Sequence, residues 1–344
     1  MKEKNLILLV LLATVIGRLI VTPLPLNQDV TAGADQGIYL HRIDVLQRQG
    51  LIDWDRSMYG GMPFLTFYPP LSFYLGTPFD PIIGFKLLIM LGFVLAPLTF
   101  YYLLKEFRLS SKETLIATVI FAFTMYYNSF LFFGQLPSLL AIPFAFLFLK
   151  FFVRAINRYD KNSIILSSIF LALTILIQQI VSFMIFLIAL VYLALNLFVK
   201  LDLSKVKTAA FIIIPSILIS SFWLIPTFAE SKYSYPYSFF KPGEELLHSI
   251  PLVGIVNLFG GLYVDVFTLT LSLVAGLLIL IGFIRLFLEK NYRREPEDLF
   301  WLILPVFFAV AYFIAYALLA SITPFQPQRF IILWSLPVSV LIAK

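Results

Sequence analysis

The chain has 344 residues, 60% of them apolar and 13% charged, with a mean hydropathy of +0.94. Soluble globular chains sit near about 45–50% apolar and 25% charged, so a water-soluble fold is excluded and an all-α, polytopic membrane protein is expected. Zero cysteines exclude disulfides and thiol catalysis, two histidines (His41 and His248) are too few for a zinc-type cluster, and the net charge is +6.

Apolar runs able to cross about 30 Å of hydrocarbon predict ten spans: 5–22, 82–104, 113–133, 137–153, 163–177, 181–199, 208–228, 266–288, 299–320 and 329–343. The first could instead be a signal peptide, with Ala32-Gly33-Ala34 as the cleavage site. That site lies past Pro23 and Pro25, far beyond the apolar core, so an uncleaved span is preferred. The run from Ser163 to Phe198 is too long for one helix at about 1.5 Å per residue, and Gln178-Gln179 at its middle predict two spans joined by a tight turn. The last span stops at Lys344, so residues 1–344 read as a single membrane domain that could be the N-terminal part of a longer chain. Prolines inside spans, such as Pro97, Pro143 and Pro215, are tolerated in membrane helices.

Two connections are long, about 23–81 and 229–265, and the rest are short turns. With a cytoplasmic N-terminus, the inner segments hold 17 of the 25 basic and 9 of the 19 acidic residues, which leaves +8 inside and −2 outside. That is the asymmetry of the positive-inside rule. The basic balance therefore reports orientation in the cell membrane, and nucleic acid is not an expected partner. Both long loops then lie on the outer face.

The first loop carries six aspartates: Asp29, Asp35, Asp44, Asp53, Asp55 and Asp80. Within it Gly33–Gln49 has helical spacing, with Ile38, Ile43, Val45 and Leu46 as the apolar set and Gly50 as the stop. Such a helix is expected to lie flat at the interface, with Asp35 in its first turn or at its N-cap. Asp53 and Asp55 flank Trp54 and read either as a solvated turn with an interfacial anchor or as part of a site. Tyr68-Pro69-Pro70 predicts extended backbone, because a residue before proline avoids the helical region.

The order of these pieces is Asp35-Gln36 with Tyr39, then Gly50-Leu51-Ile52-Asp53-Trp54, then Gly60-Gly61-Met62-Pro63, then Tyr68-Pro69-Pro70-Leu71-Ser72-Phe73-Tyr74. It resembles the first outer loop of the GT-C superfamily of membrane glycosyltransferases, in the branch of protein mannosyltransferases and aminoarabinose transferases. The nearest likeness is to the 6-pyruvoyl-tetrahydropterin synthase-related membrane proteins. The resemblance implies about ten transmembrane helices, interfacial helices in the first outer loop, and transfer of a sugar from a polyprenyl- or dolichyl-phosphate donor. The acceptor would be a glycan, a lipid or a protein. Two positions depart from the pattern: Gln36 stands where relatives carry a second acid, and Gln178-Gln179 where many have a histidine.

Such chemistry needs a base at the acceptor hydroxyl and cations at the departing phosphate. Asp35 is the candidate base, though it also reads as a plain N-cap. Lys86, Lys241, His248 and Arg329 are the candidate cations on the outer side, and arginine can grip phosphate oxygens bidentately; Lys86 and Arg18 also read as residues snorkelling at span ends. Gln36, Tyr39, His41, Asp53 and Tyr68 complete the expected substrate-binding set. No resident cofactor is expected. Because Gln36 cannot pair with Asp35 as a two-carboxylate site, no metal is expected either. Two other functions compete: a transporter or lipid flippase, disfavoured by nearly charge-free spans and no internal repeat, and an inactive GT-C-like assembly partner, favoured by Gln36.

Overall fold

The computed structural model describes residues 8, 11–17, 36–50, 54–55, 62–64, 68–107, 109–123, 136–230, 296–297, 299–301, 303–305, 337, 339–341 and 343. Chain order gives α1 (Gln36–Gln49), β1 (Trp54–Asp55), β2 (Met62–Pro63), α2 (Leu71–Tyr74), α3 (Pro81–Leu104), α4 (Ser111–Phe123), α5 (Leu136–Arg158), α6 (Lys161–Ile177), α7 (Gln179–Val199) and α8 (Leu203–Glu230). Four helices are long and apolar enough to cross a membrane: Pro81–Leu104, Leu136–Arg158, Gln179–Val199 and Leu203–Ala229; Lys161–Ile177 is apolar but shorter. Residues 8 and 11–17, and those described between 296 and 305 and between 337 and 343, are helical and fall almost wholly within predicted spans. The predicted span 266–288 and most of the loop 229–265 lie outside the described residues.

Aspartates set where the helices begin. Asp80 accepts the N–H groups of Ile82 (3.0 Å) and Ile83 (3.4 Å), with Pro81 at the first helical position. Asp160 takes the N–H of Asn162, and Asp202 that of Ser204. Each satisfies a donor that the first turn leaves open. The predicted turn at Gln178 is a single residue in extended conformation (φ −157, ψ 112) between α6 and α7.

Two compact units are present. The first comprises Met1–Leu109, Phe130–Leu193 and Asp202–Tyr233. Here α5 is the central helix, packed most extensively on α6 and α3, with α8 against α6. Rings fill the seams: the buried Phe100 and Phe146 lie 5.3 Å apart, and the half-buried Phe151 stacks on Phe170 at 5.7 Å. Small residues let α6 and α8 approach. Ser216 donates to the Ser168 carbonyl at 2.9 Å and Ser220 to that of Ala172 at 3.4 Å, the small-residue contact expected where lipid offers no hydrophobic drive between helices. The second unit comprises Ser110–Ser129, Ala194–Leu201 and Ser234–Lys344. In it α4 opens with a capping box: Glu113 accepts the Ser110 N–H at 2.7 Å, and Ser110 Oγ accepts the Glu113 N–H.

One end of the first unit gathers its charged turns. Tyr159 closes α5 in a left-handed conformation (φ 54), and its N–H reaches the Ala155 carbonyl. Glycine is the usual residue at such a cap; here the phenol donates to Asp202 at 2.6 Å. Asp202 is held down to about 2 by the Ser204 hydroxyl, then by the Tyr159 phenol and the Ser204 N–H. A carboxylate depressed on folding contributes stability at pH above its unfolded value, and that contribution is lost as pH falls through about 2. In a carboxyl-carbon NMR titration, Asp202 is expected to titrate near 2 and to move up toward about 3.9 in Ser204→Ala; an ordinary midpoint in the parent would contradict the turn.

Candidate functional site

The opposite end of the first unit is built from the first long connection. α1 buries Gln36, Tyr39, Arg42, Ile43, Val45 and Leu46 along one face and packs on α2 and α3. It ends at Gly50, whose φ of +68 suits glycine. The Gln47 amide then ties the helix to the turn before α3, donating to the carbonyls of Thr77 (2.8 Å) and Phe79. Glycines make the approach possible: a Cβ on Gly76 would lie 2.8 Å from Ile43 Cδ1 of α1, and one on Gly84 would lie 2.5 Å from the Gly76 carbonyl oxygen of the turn.

Pro70 corrects the expectation of extended backbone. It sits in the helical region (φ −80, ψ −23) and leads into the one-turn helix α2. A proline suits the start of a helix because its missing N–H would be unsatisfied there anyway. α2 packs on α1, α5 and α6. Where α6 ends, Gln178 is buried and donates to Ser138, near the start of α5, at 3.2 Å.

Three rings line the interior of the loop. Tyr39 and Tyr68 are 6.2 Å apart, Tyr39 and Phe73 5.9 Å, and Tyr68 and Phe73 6.3 Å. The Arg42 guanidinium lies 3.9 Å from the Tyr68 ring centroid and 5.4 Å from that of Phe73, a cation–π arrangement on a buried side chain. Beside it, β1 and β2 pair antiparallel, Asp55 opposite Met62. Asp55 is buried, and His41 Nε2 meets its Oδ2 at 2.7 Å. Asp55 is thus not a solvated turn residue: it fastens β1 to α1. Losing a hydrogen bond to a charged group costs about 1.5–3 kcal/mol. His41 is partly exposed, so His41→Ala should cost about 1–2 kcal/mol, read as faster amide exchange across the β1–β2 pair. Unchanged exchange would show the pair to be dispensable.

Among the sequence-predicted residues, the fold brings Gln36, Tyr39, His41 and Tyr68 together around α1. Lys86 lies half-buried in the second turn of α3. Asp35, Asp53, Lys241, His248 and Arg329 lie outside the described residues. Arg42 lies outside the expected set, and Asp55, read with Asp53 as either a solvated turn or part of a site, lies outside the expected substrate-binding residues. The signal for Arg42 was its place beside Ile43 on the face of Gln36, Tyr39 and Leu46; Asp55 depends on a pairing fourteen residues away. Among the described residues no cluster of three His, Asp or Glu side chains could hold a metal ion.

Residues 65–343 match the family of the 6-pyruvoyl-tetrahydropterin synthase related domain, a membrane protein family. The chain belongs to this family. No curated protein matches the sequence. The structure of this 6-pyruvoyl-tetrahydropterin synthase-related protein is similar to the Archaeoglobus fulgidus oligosaccharyltransferase in its apo form, with a TM-score of 0.67 at 17% identity, over 99% of this chain and 50% of that one. It is also similar to the archaeal oligosaccharyltransferase AglB from Archaeoglobus fulgidus in complex with an inhibitory peptide and a dolichol-phosphate, with a TM-score of 0.65 at 16% identity and the same coverages. The chain spans about half the length of these proteins. Its fold is the GT-C fold that the loop motifs resemble.

Proposed function

We propose that this chain is a glycosyltransferase that takes a sugar from a polyprenyl-phosphate carrier at the end of the spans formed by the first loop. The observation that carries this reading is the GT-C fold, shared over 99% of the chain with an oligosaccharyltransferase captured with dolichol-phosphate. The orientation is N-terminus inside, with the first loop on the outer face, from the distribution of basic residues.

Asp35, immediately before α1, accepts the proton of the acceptor hydroxyl. The freed oxygen attacks the anomeric carbon, the bond from that carbon to the phosphate oxygen breaks, and its electron pair leaves on the carrier phosphate. Attack opposite the leaving group inverts the anomeric centre. Arg329 grips the departing phosphate, assisted by Lys86, Lys241 and His248. The rings of Tyr39 and Tyr68 and the amide of Gln36 shape the donor pocket. Burial of Asp55 against His41 supports this reading, because it holds the hairpin of the loop on the helix that follows Asp35.

The test is donor turnover by the chain in membrane vesicles that retain the cell's own glycan, lipid and protein acceptors, with labelled polyprenyl-phosphate sugars. Release of free polyprenyl phosphate is expected. Movement of intact donor across the bilayer without release would make the protein a flippase. With Gln36 in place of a second acid, chelation by EDTA is expected to leave the rate unchanged; loss restored by manganese or magnesium would contradict metal independence.

A further inference from the structure

The charged end of the first unit carries positive charge that its own carboxylates do not balance. Lys150, Arg154 and Arg158 follow one another at four-residue steps along α5 and so form one stripe. The stripe meets the last turn of α3. Lys150 Nζ lies 5.2 Å from the Tyr102 ring centroid and 4.9 Å from that of Phe151, and Arg158 Nη2 lies 3.9 Å from Glu106 Oε2. Lys105, next to Glu106, rests its ammonium over Tyr101.

Two carboxylates answer these four cations. Arg154 Nε is 3.9 Å from Asp160 Oδ2, and Asp160 already accepts from Asn162 and Ser163. Both ion pairs are longer than the roughly 2.7–2.9 Å of a charge-assisted hydrogen bond. Arg154 Nε is a buried atom with no hydrogen-bond acceptor. Lys105 and Lys150 have no carboxylate within 4.0 Å among the described residues. Lys150 also lies about 12 Å along the helix axis from Arg158, inside the end of a span. Tyr102, beside it on α3, is half exposed. An anion reaching this strip needs an apolar anchor that enters from the side.

We propose that the seam between α3 and α5 binds the phosphate of an anionic bilayer phospholipid, with Lys150 and Arg154 on the phosphate oxygens, Lys105 completing the charge, and the acyl chains along Tyr102 and Phe151. Juxtamembrane basic clusters attract anionic headgroups in this way. The strip is separate from the site of sugar transfer and needs no turnover to be observed.

The experiment is native mass spectrometry of the full chain, offered dioleoylphosphatidylglycerol and dioleoylphosphatidylcholine in equal amounts. Retention of the glycerol lipid over the choline lipid is expected. At roughly fivefold per basic residue, Lys150→Gln with Arg154→Gln should lower that preference about 25-fold, while Lys161→Gln with Lys207→Gln, at the same end but off the strip, should keep it. Absence of preference in the parent protein overturns the proposal without any variant. So does equal loss in the control pair, which would reduce the effect to general surface charge. Displacement of the lipid by millimolar inorganic phosphate would assign the strip to a free anion instead.

Discussion

Asp35→Asn should yield a protein that inserts and folds normally yet transfers sugar roughly 10²–10⁴-fold more slowly, the usual cost of losing a general base. Asparagine matches aspartate in size and in its ability to cap a helix, so the helix that begins at Gln36 keeps its start. Had Asp35 been only a cap, its loss would cost about 1 kcal/mol of stability and leave the rate alone. The two roles separate by measurement: thermal unfolding reads one, and donor turnover reads the other. Arg329→Ala should instead raise the donor concentration needed for half-maximal turnover, since it removes a charge-assisted contact to phosphate. An Asp35→Asn protein working at the parent rate would leave Asp35 as a cap alone.

Gly92→Val should strongly destabilise the packing of α3 on α5. A Cβ on Gly92 would stand 2.6 Å from the Leu139 carbonyl oxygen, 2.7 Å from its carbon and 2.9 Å from the Leu140 Cα. All three are backbone atoms of α5, so no rotamer change makes room and the two helices must part. Overpacking of this kind costs about 1–3 kcal/mol, and a clash with backbone belongs at the upper end, about 3 kcal/mol. The matched control is Gly37→Ala on α1, where a Cβ meets nothing within 4 Å and, in the first turn of the helix, the change should be neutral or gain up to about 0.5 kcal/mol. Thermal unfolding in detergent compares the two. A Gly92→Val protein as stable as the parent would mean that α3 and α5 do not approach this closely.

The helices were legible where hydropathy and capping chemistry coincide. The predicted starts at 82, 163 and 208 fall within one to five residues of Pro81, Lys161 and Leu203, each preceded by an aspartate that closes the first turn. The predicted end of α5 at 153 came five residues early. Hydropathy stops at Arg154, whereas the backbone ladder continues to Arg158 because the basic side chains can reach outward while their stems stay on the helix. The interior of the loop was less legible. Gln36, Tyr39 and Leu46 mark one face of α1, but the burial of Arg42 depends on the Tyr68 ring brought from another segment. Asp55 could not be told from a solvated turn, because its partner His41 is close only once the hairpin folds back on α1. Pro69-Pro70 misled for a local reason: the rule that a residue before proline avoids the helix governs Pro69, while Pro70 itself is free to begin α2.

The most direct measurement is photocrosslinking of a polyprenyl-phosphate probe, carrying its reactive group beside the phosphate, to the purified chain, with the labelled peptides identified by mass spectrometry. Labels are expected on the phosphate-binding set (Lys86, Lys241, His248 and Arg329) and within residues 35–80, the segment that builds α1, the hairpin and α2, and should fall when a polyprenyl-phosphate sugar competes. Labels confined to the charged turns around 159–162 and 200–207, with none between 35 and 86 and none on Lys241, His248 or Arg329, would contradict donor binding at the loop end and with it the assignment as a lipid-linked-sugar transferase.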